Sequence, residues 1–311
     1  MNKKYINMLI TILLLIIFFE IFDHSNIVFN SIINSSKIWF YNIIPSIFPI
    51  YIMVDLLINY NILNLISYLF SPLMKYIFKM KKETAIIFLL SIISGFPSNS
   101  KYINSFLDNN IININEAKKL LMFTHFSNPL FIINSIGINF LHNKKIGILI
   151  LISHYITNII IGFINKNYYV DYSNTGKIIE NKKSSFITTL TYSIYNSIKI
   201  LILLYGIITI FMIITSLINV NINLNPILNC IICGILEITN GIYYTSNLSI
   251  PLIYKACLIT FFLSFGGFCI HMQVLSILNK YKINYFNYLK TRIIHGIVST
   301  SIIFIILSFM K

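Results

Sequence analysis

Runs of apolar residues alternate with short polar segments along almost the whole chain. Most of these runs approach the roughly 20 apolar residues that a helix needs to cross a bilayer. Backbone groups inside lipid must find partners within their own element, so the pattern predicts an all-α polytopic membrane protein. The ten runs cover residues 5–22, 38–58, 62–78, 84–96, 117–138, 146–164, 187–218, 224–244, 250–278 and 288–310.

Two of these runs are poor candidates for complete spans. Residues 62–78 contain Ser71-Pro72, and residues 84–96 supply only about half a bilayer's length of helix. We expect both to be interfacial or re-entrant segments that are buried by protein or by a water-filled cavity. The length of the chain predicts roughly eight to ten spans in a single membrane domain, residues 1–311.

The composition agrees with this class. Of the 311 residues, 57% are hydrophobic and 10% are charged, whereas about 25% of the residues in a soluble domain are charged. The net charge of +14 comes from basic residues at the ends of apolar runs. That distribution follows the positive-inside rule and forms no dense basic face, so it predicts a lipid bilayer and no nucleic acid as the partner. These basic residues include Lys3, Lys4, Lys75, Lys79, Lys81, Lys82, Lys166, Lys177, Lys182, Lys183, Lys280, Lys282, Lys290 and Arg292.

The most polar segment, residues 165–186, is predicted to be a cytosolic linker between two similar halves. The first repeat would cover residues 38–164 and the second residues 187–310. Phe123-x-x-Phe126 in the first half matches Phe262-x-x-Phe265 in the second. In each half an apolar helix reaches a small, polar segment, and a second helix is interrupted by another. Such paired interruptions by glycine, proline or polar residues indicate the binding site of a transporter.

Glu237 is the sharpest single signal, since it follows about two turns of apolar residues. A carboxylate there is costly unless it is paired, hydrated or protonated. It either contacts a solute or a coupling proton or cation, or it caps a chain break near Thr239-Asn240-Gly241. We include Asn240 in the candidate solute site, together with Gln273, which lies beyond the second-half break.

The segment from Gly95 to Lys101 is the first candidate break. Glycine permits unusual dihedral angles and the following proline ends the incoming helix. Ser98, Asn99 and Ser100 can cap the next helix, and its amide end together with Lys101 would suit an anionic group. The alternative is a surface turn with a lysine that extends to the interface.

A second break is expected at Ser127-Asn128-Pro129. Proline cannot donate to the carbonyl four residues earlier, which frees that group for solute, ion or water. The alternative is a plain proline kink. Gly266 and Gly267 can play the same part in the second half, because they leave room for close approach of the backbone.

Other ionisable residues in apolar runs are weaker candidates. His125, His154 and His271 are more often packing residues than relays. For Asp55 and Lys199, extension toward the interface or a mutual pair is as good an explanation as a functional role.

No enzyme motif is present, and no pair of acidic residues is placed for metal or two-carboxylate chemistry. The four cysteines, including Cys230-x-x-Cys233, lie in apolar runs and are expected to be buried small hydrophobic residues. We therefore expect no catalytic residue, no metal and no cofactor, and a protein that is not an enzyme. The sequence sets no oligomeric state.

Taken together, these segments resemble the sporulation integral membrane protein family YlbJ (also called SpoVV). The resemblance lies in SGFPSNSK at residues 94–101, in Glu116-Ala117 and in FTHFSNPLFI at residues 123–132. It continues in the second half at residues 237–241 and 264–274. This family is similar to the nucleoside recognition or Gate domain group, and so to parts of concentrative nucleoside transporters. The chain departs from the family at Ser98-Asn99-Ser100, where small Gly or Ala residues are usual.

The resemblance implies a role in endospore formation, as a carrier of dipicolinic acid across the outer forespore membrane. Helix N-termini, Lys101, Ser127 and Asn128 would then hold the carboxylates of this dianion. Glu237 would repel it, which indicates that Glu237 binds a coupling proton or cation, or orients Lys101. A transporter of another solute, either a nucleoside or an ion, remains an alternative, as does a non-transporting assembly protein of the forespore membrane.

Overall fold

A computed structural model describes residues 3–60, 62–168, 185–222 and 224–310 of the chain. Its regular elements are all helical, which confirms the predicted fold class. The α-helices of this part are α1 (Lys3–Asp23), α2 (Ser25–Ile38), α3 (Ile44–Asn59), α4 (Ile62–Pro72), α5 (Thr84–Ser94), α6 (Ser98–Asp108), α7 (Ile114–Phe123), α8 (Lys144–Ile164), α9 (Phe186–Asn221), α10 (Pro226–Leu236), α11 (Ile238–Asn247), α12 (Leu252–Phe265), α13 (Gly267–Ile277) and α14 (Tyr285–Phe309). Three π-helical segments, Trp39–Ile43, Leu73–Ile77 and Phe131–Phe140, complete the apolar runs.

Local sequence signals fix several helix starts. Asn113 accepts a hydrogen bond from the Glu116 amide, and Glu116 accepts one from the Asn113 amide, which makes a capping box for α7. Asn225 caps α10, where Pro226 occupies the first helical position and no amide is lost. These polar residues between apolar runs therefore define where membrane helices begin.

Fewer helices than apolar runs are long enough on their own to cross a bilayer. By length and composition, four helical stretches of the described residues can cross a bilayer: Lys144–Asn167, Phe186–Asn221, Leu252–Ile277 and Tyr285–Phe309. A fifth crossing is possible if α1 and α2, which meet at 97°, count as one bent span. Several other runs form helices of about 11 residues, roughly 16 Å long, against a hydrocarbon core of about 30 Å.

Two groups of helices face each other. In the first, α2 and α3 pack against α9. In the second, α14 packs along α12 and α8, and α8 packs along the Phe131–Phe140 helix. The candidate site lies where these groups meet.

The division into two repeats stays a prediction. Most of the proposed linker, residues 169–184, lies outside the described residues.

Candidate functional site

Four helix pairs are interrupted, two in each half of the chain. The interruptions lie between α5 and α6 at residues 95–97, between α7 and the Phe131–Phe140 helix at residues 124–128, between α10 and α11 at Glu237, and between α12 and α13 at Gly266. We call them breaks 1 to 4 in chain order. All four lie in runs that the sequence shows as apolar, so their backbone groups need partners inside the protein.

Breaks 1 and 2 pack directly against each other. Gly95 has a φ of +75°, and a Cβ on it would lie 2.4 Å from the backbone nitrogen of Asn128. The Phe96 amide donates to the Phe126 carbonyl over 2.6 Å. Only a residue without a side chain fits between these two backbones, which explains the glycine.

Breaks 3 and 4 are joined in the same way. Gly267, with a φ of +60°, packs against the Leu236 carbonyl and the Ile238 side chain. Gly266, with a φ of +94°, faces the other half: a Cβ on it would lie 2.7 Å from Nε2 of His125 in break 2. The four breaks therefore converge on one region, and close contacts at three glycines hold them there.

A cavity of about 320 Å³ lies on one side of the breaks. One wall consists of apolar residues of the α2–α3–α9 group, and the other consists of residues in or just beyond the breaks. The polar lining residues are Tyr41, Ser94, Ser127, Asn128, Asn134, Ser135, Glu237, Thr239, Cys269 and Gln273. Glu237 is the one ionisable carboxylate in this lining, and the lining contains no lysine or arginine.

Four of the predicted site residues line the cavity, namely Ser127, Asn128, Glu237 and Gln273. The others lie beside or behind that lining: Gly95, Ser98, Asn99, Ser100, Lys101, Pro129, Asn240, Gly266 and Gly267. The glycines form contacts between breaks, and Asn240 donates through its side chain to Thr215 of α9 over 2.8 Å.

Lys101 does not reach the cavity lining. Its Nζ lies 3.2 Å from Oδ2 of Asp55 in α3, and 4.1 Å from the centre of the Tyr51 ring. The side chain is 8% exposed. The sequence did not identify this pairing, because it requires two helices that are distant in the chain.

Break 2 is a true chain break rather than a kink. The Asn128 side-chain oxygen accepts from the Leu130 and Phe131 amides at 2.8 and 3.4 Å, so Asn128 caps a new helix with Pro129 at its first position. The carbonyl of His125, which we expected to be free for solute, accepts instead from the Asn158 side chain at 2.9 Å.

The position of Glu237 is compatible with both interpretations that the sequence left open, a helix cap and a contact to solute or ion. It ends α10 and caps α11, and its Oε2 accepts from the Asn240 amide at 2.8 Å. It also lines the cavity. The break lies at Glu237 itself, and the expected position near Thr239-Asn240-Gly241 falls in the first turn of α11.

The other two helix starts have no side-chain cap. Neither Pro97 before α6 nor Gly266 before α13 caps the following helix through its side chain. The buried Ser98 Oγ and Asn99 Oδ1 at the start of α6 also have no hydrogen-bond partner. Helix N-termini carry partial positive charge, so these two starts remain the electropositive ones at the breaks.

A polar cluster lies behind the breaks, and the sequence contained only a weak indication of it. His154 of α8 accepts from the Ser127 amide at 3.0 Å, and its other ring nitrogen lies 2.8 Å from Oγ of Ser264. This histidine ties break 2 to α12. A lone histidine in an apolar run was a weak signal, and its two partners are set by tertiary packing.

Helix α14 supplies the centre of this cluster. Arg292 is fully buried and donates to the Met122 carbonyl at the end of α7 and to Nδ1 of His295. The hydroxyl of Tyr288 lies 3.4 Å from Nδ1 of His125. We had counted Arg292 among the basic residues at the ends of apolar runs. It instead lies two turns inside α14, where an ionisable residue indicates function by default.

A similarity to one known protein accompanies this geometry. The chain is 25% identical over 337 aligned residues to the sporulation integral membrane protein YlbJ of Bacillus subtilis (strain 168), and the match covers 96% of this chain and 82% of the relative. No family model and no solved structure matches the chain. The chain is a multi-pass integral membrane protein that is similar to YlbJ over most of its length.

Proposed function

We propose that this protein is a transporter that carries a small anion through the cavity at the four breaks, without chemical change to the solute. The observation that supports this most is the convergence of four interrupted helices on one cavity inside an apolar chain. Irregular backbone is tolerated at membrane depth where it lines a cavity, and broken helices form the solute sites of many transporters.

The arrangement of helix ends favours an anion. At breaks 2, 3 and 4, the cavity lining includes a residue near the start of the helix that follows the break, namely Phe131, Thr239 and Ile270. At break 1 the lining includes Pro97, which immediately precedes α6. Helix N-termini attract negative charge. Glu237 and Asn128 already occupy two of these starts, which leaves α6 and α13 for the carboxylates of a solute.

Dipicolinic acid is the solute that we propose. Its two carboxylates suit the two uncapped helix starts, and the side chains of Phe96 and Phe131 in the lining can flank its ring. The name of the Bacillus subtilis relative assigns that protein to sporulation. We propose the same setting for this chain, where the solute would move into the developing spore.

Glu237 is assigned a separate role. A second negative charge beside a dianion is unfavourable, so we propose that Glu237 carries the coupling proton or binds a coupling cation while the solute occupies the cavity. Its capping bond uses Oε2, and the cavity gives the carboxylate access to ions.

The test is the dipicolinic acid content of spores from a deletion strain, measured against the pool in the mother cell. The deletion should empty the spore while synthesis continues. Wild type should restore the content, and a Glu237→Gln variant, expressed at equal level, should not. Loaded spores in the deletion strain would overturn the substrate. If deletion empties the spore but cavity variants complement fully, the protein acts as an assembly protein rather than as a carrier.

A further inference from the structure

Arg292 has only neutral partners within the described residues. Its guanidinium contacts the Met122 carbonyl, Nδ1 of His295 and the face of the Tyr288 ring, whose centre is 5.6 Å away. Its Nε has no hydrogen-bond partner, and the side chain is 0% exposed. The ion pairs of the described residues lie elsewhere and involve lysines or His24.

The contact between Arg292 and the end of α7 does not neutralise the charge of the guanidinium. A guanidinium keeps its proton under all conditions in which proteins fold. The end of α7 offers only the partial negative charge of its last carbonyls. A full charge buried with so little compensation is costly, and an ionisable residue inside an apolar span is a candidate functional group by default.

The cluster lies between the cavity and a second, much smaller pocket. On the cavity side, the Phe96 ring stacks on His125 at 4.5 Å between centres, and Nε2 of His125 has no partner. On the other side, Met122 and Tyr288 line a small pocket of about 20 Å³ that also includes Lys118. Arg292 therefore contacts Met122 and Tyr288 of the small pocket, and it is linked to the cavity residue Phe96 through Tyr288 and His125.

We propose that Arg292 is a second anion site on the transport path, where it binds one carboxylate of the solute after that solute has passed the breaks. The inference rests on the proposed function and adds a residue that neither the cavity nor the sequence identified. A guanidinium pairs with a planar carboxylate through two parallel hydrogen bonds, so its unused N–H groups supply the contact. His125, with one unpartnered ring nitrogen, supports the same carboxylate.

The experiment compares the purified full chain with its Arg292→Gln and Arg292→Lys variants. Thermal unfolding is followed with dipicolinic acid, with pyridine-2-carboxylic acid, which has one carboxylate, and with acetate. Uptake into liposomes gives KM. We expect wild type to be stabilised most by the dianion. Arg292→Gln should lose the preference for two carboxylates over one, with KM raised at least tenfold. Arg292→Lys should keep part of the preference, because it keeps the charge without the paired hydrogen bonds.

The unliganded proteins distinguish a site from a structural cap. An uncompensated charge predicts that unliganded Arg292→Gln unfolds at the same temperature as wild type or higher. If Arg292→Gln unfolds at a lower temperature than wild type but keeps the dianion preference and KM of wild type, the proposal is overturned. If Arg292→Gln does not fold, an unchanged dianion preference in Arg292→Lys overturns the proposal instead. If wild type neither binds nor transports dipicolinic acid, the proposed function fails instead. The unfolding temperatures with acetate, succinate and chloride then test the anion site by itself. A rise in unfolding temperature in wild type that Arg292→Gln lacks supports an anion site, and equal responses of the two proteins overturn it.

Discussion

The two sides of the four breaks carry opposite charges. The cavity side has the carboxylate of Glu237 and no lysine or arginine in its lining. The inner side has Arg292, which has no carboxylate partner within the described residues. Close packing at Gly95, Gly266 and Gly267 lies between them. The comparison teaches that the chain breaks do more than interrupt helices: they separate a negative group from a positive one inside the membrane.

The largest expected effect comes from damage to that packing. In Gly95→Ala the new Cβ would lie 2.4 Å from the Asn128 nitrogen, at a φ of +75°. Strain at a positive φ and overpacking each cost of order 1–3 kcal/mol. We expect loss of monodisperse protein in size-exclusion chromatography after detergent extraction.

Gly206→Ala is the matched control, because nothing lies within 4 Å of a Cβ there. It lies inside α9, where alanine favours the helix by about 1 kcal/mol. A Gly95→Ala protein as stable as the Gly206→Ala protein would mean that breaks 1 and 2 do not touch.

The next effect tests whether the cavity side truly lacks a cation. Lys101→Met should lower the free energy of unfolding by about 3 kcal/mol, because it removes a cation 3.2 Å from the mostly buried Asp55 carboxylate. Lys101→Met/Asp55→Asn should recover much of that loss. Since Lys101 lies outside the cavity lining, the KM of the double variant for dipicolinic acid should stay within about twofold of wild type.

A tenfold rise in KM for the stable double variant would contradict this placement. It would restore the sequence-based expectation that Lys101 contacts the anion.

The third variant removes the carboxylate of Glu237 from the cavity side. Glu237→Gln keeps an oxygen that can accept from the Asn240 amide, so the cap should survive and stability should change by less than about 1 kcal/mol. Uptake should fall at least tenfold and lose its dependence on pH or on the coupling cation. The measurement is uptake into liposomes across a series of imposed pH and sodium gradients.

Glu237→Ala serves as the comparison for Glu237→Gln, since it removes the cap as well as the charge. Unchanged uptake and unchanged ion dependence in Glu237→Gln would reduce Glu237 to a helix cap.

The sequence predicted much of this arrangement. The apolar runs gave the helical class, and the residues that interrupt them marked breaks 1, 2 and 4 within a few residues. The sequence left Glu237 as either a helix cap or a solute or ion contact, and the structure shows that it caps α11 and lines the cavity. These features are local, because a helix ends where its own residues cannot continue it.

What the sequence could not supply is the partner of each polar group. Lys101 pairs with Asp55 across 46 positions of the chain, and Arg292 reaches Met122 across 170. The carbonyl of His125 was expected to serve the solute, yet α8 satisfies it through Asn158. An apolar run also does not reveal whether its helix continues through a break.

The smallest loss of uptake, and the finest test of the cavity side, is expected at Asn128. Its side-chain oxygen caps the new helix, so its amide group is what it can offer a solute. Asn128→Ala loses both and should lose about 1 kcal/mol of stability, whereas Asn128→Ser keeps a good cap and should lose almost none. Both remove the donor, worth about 0.5–1.5 kcal/mol, so both should lower kcat/KM for dipicolinic acid by about two- to tenfold. If only Asn128→Ala impairs uptake, the residue serves helix geometry alone, and the solute is bound without it.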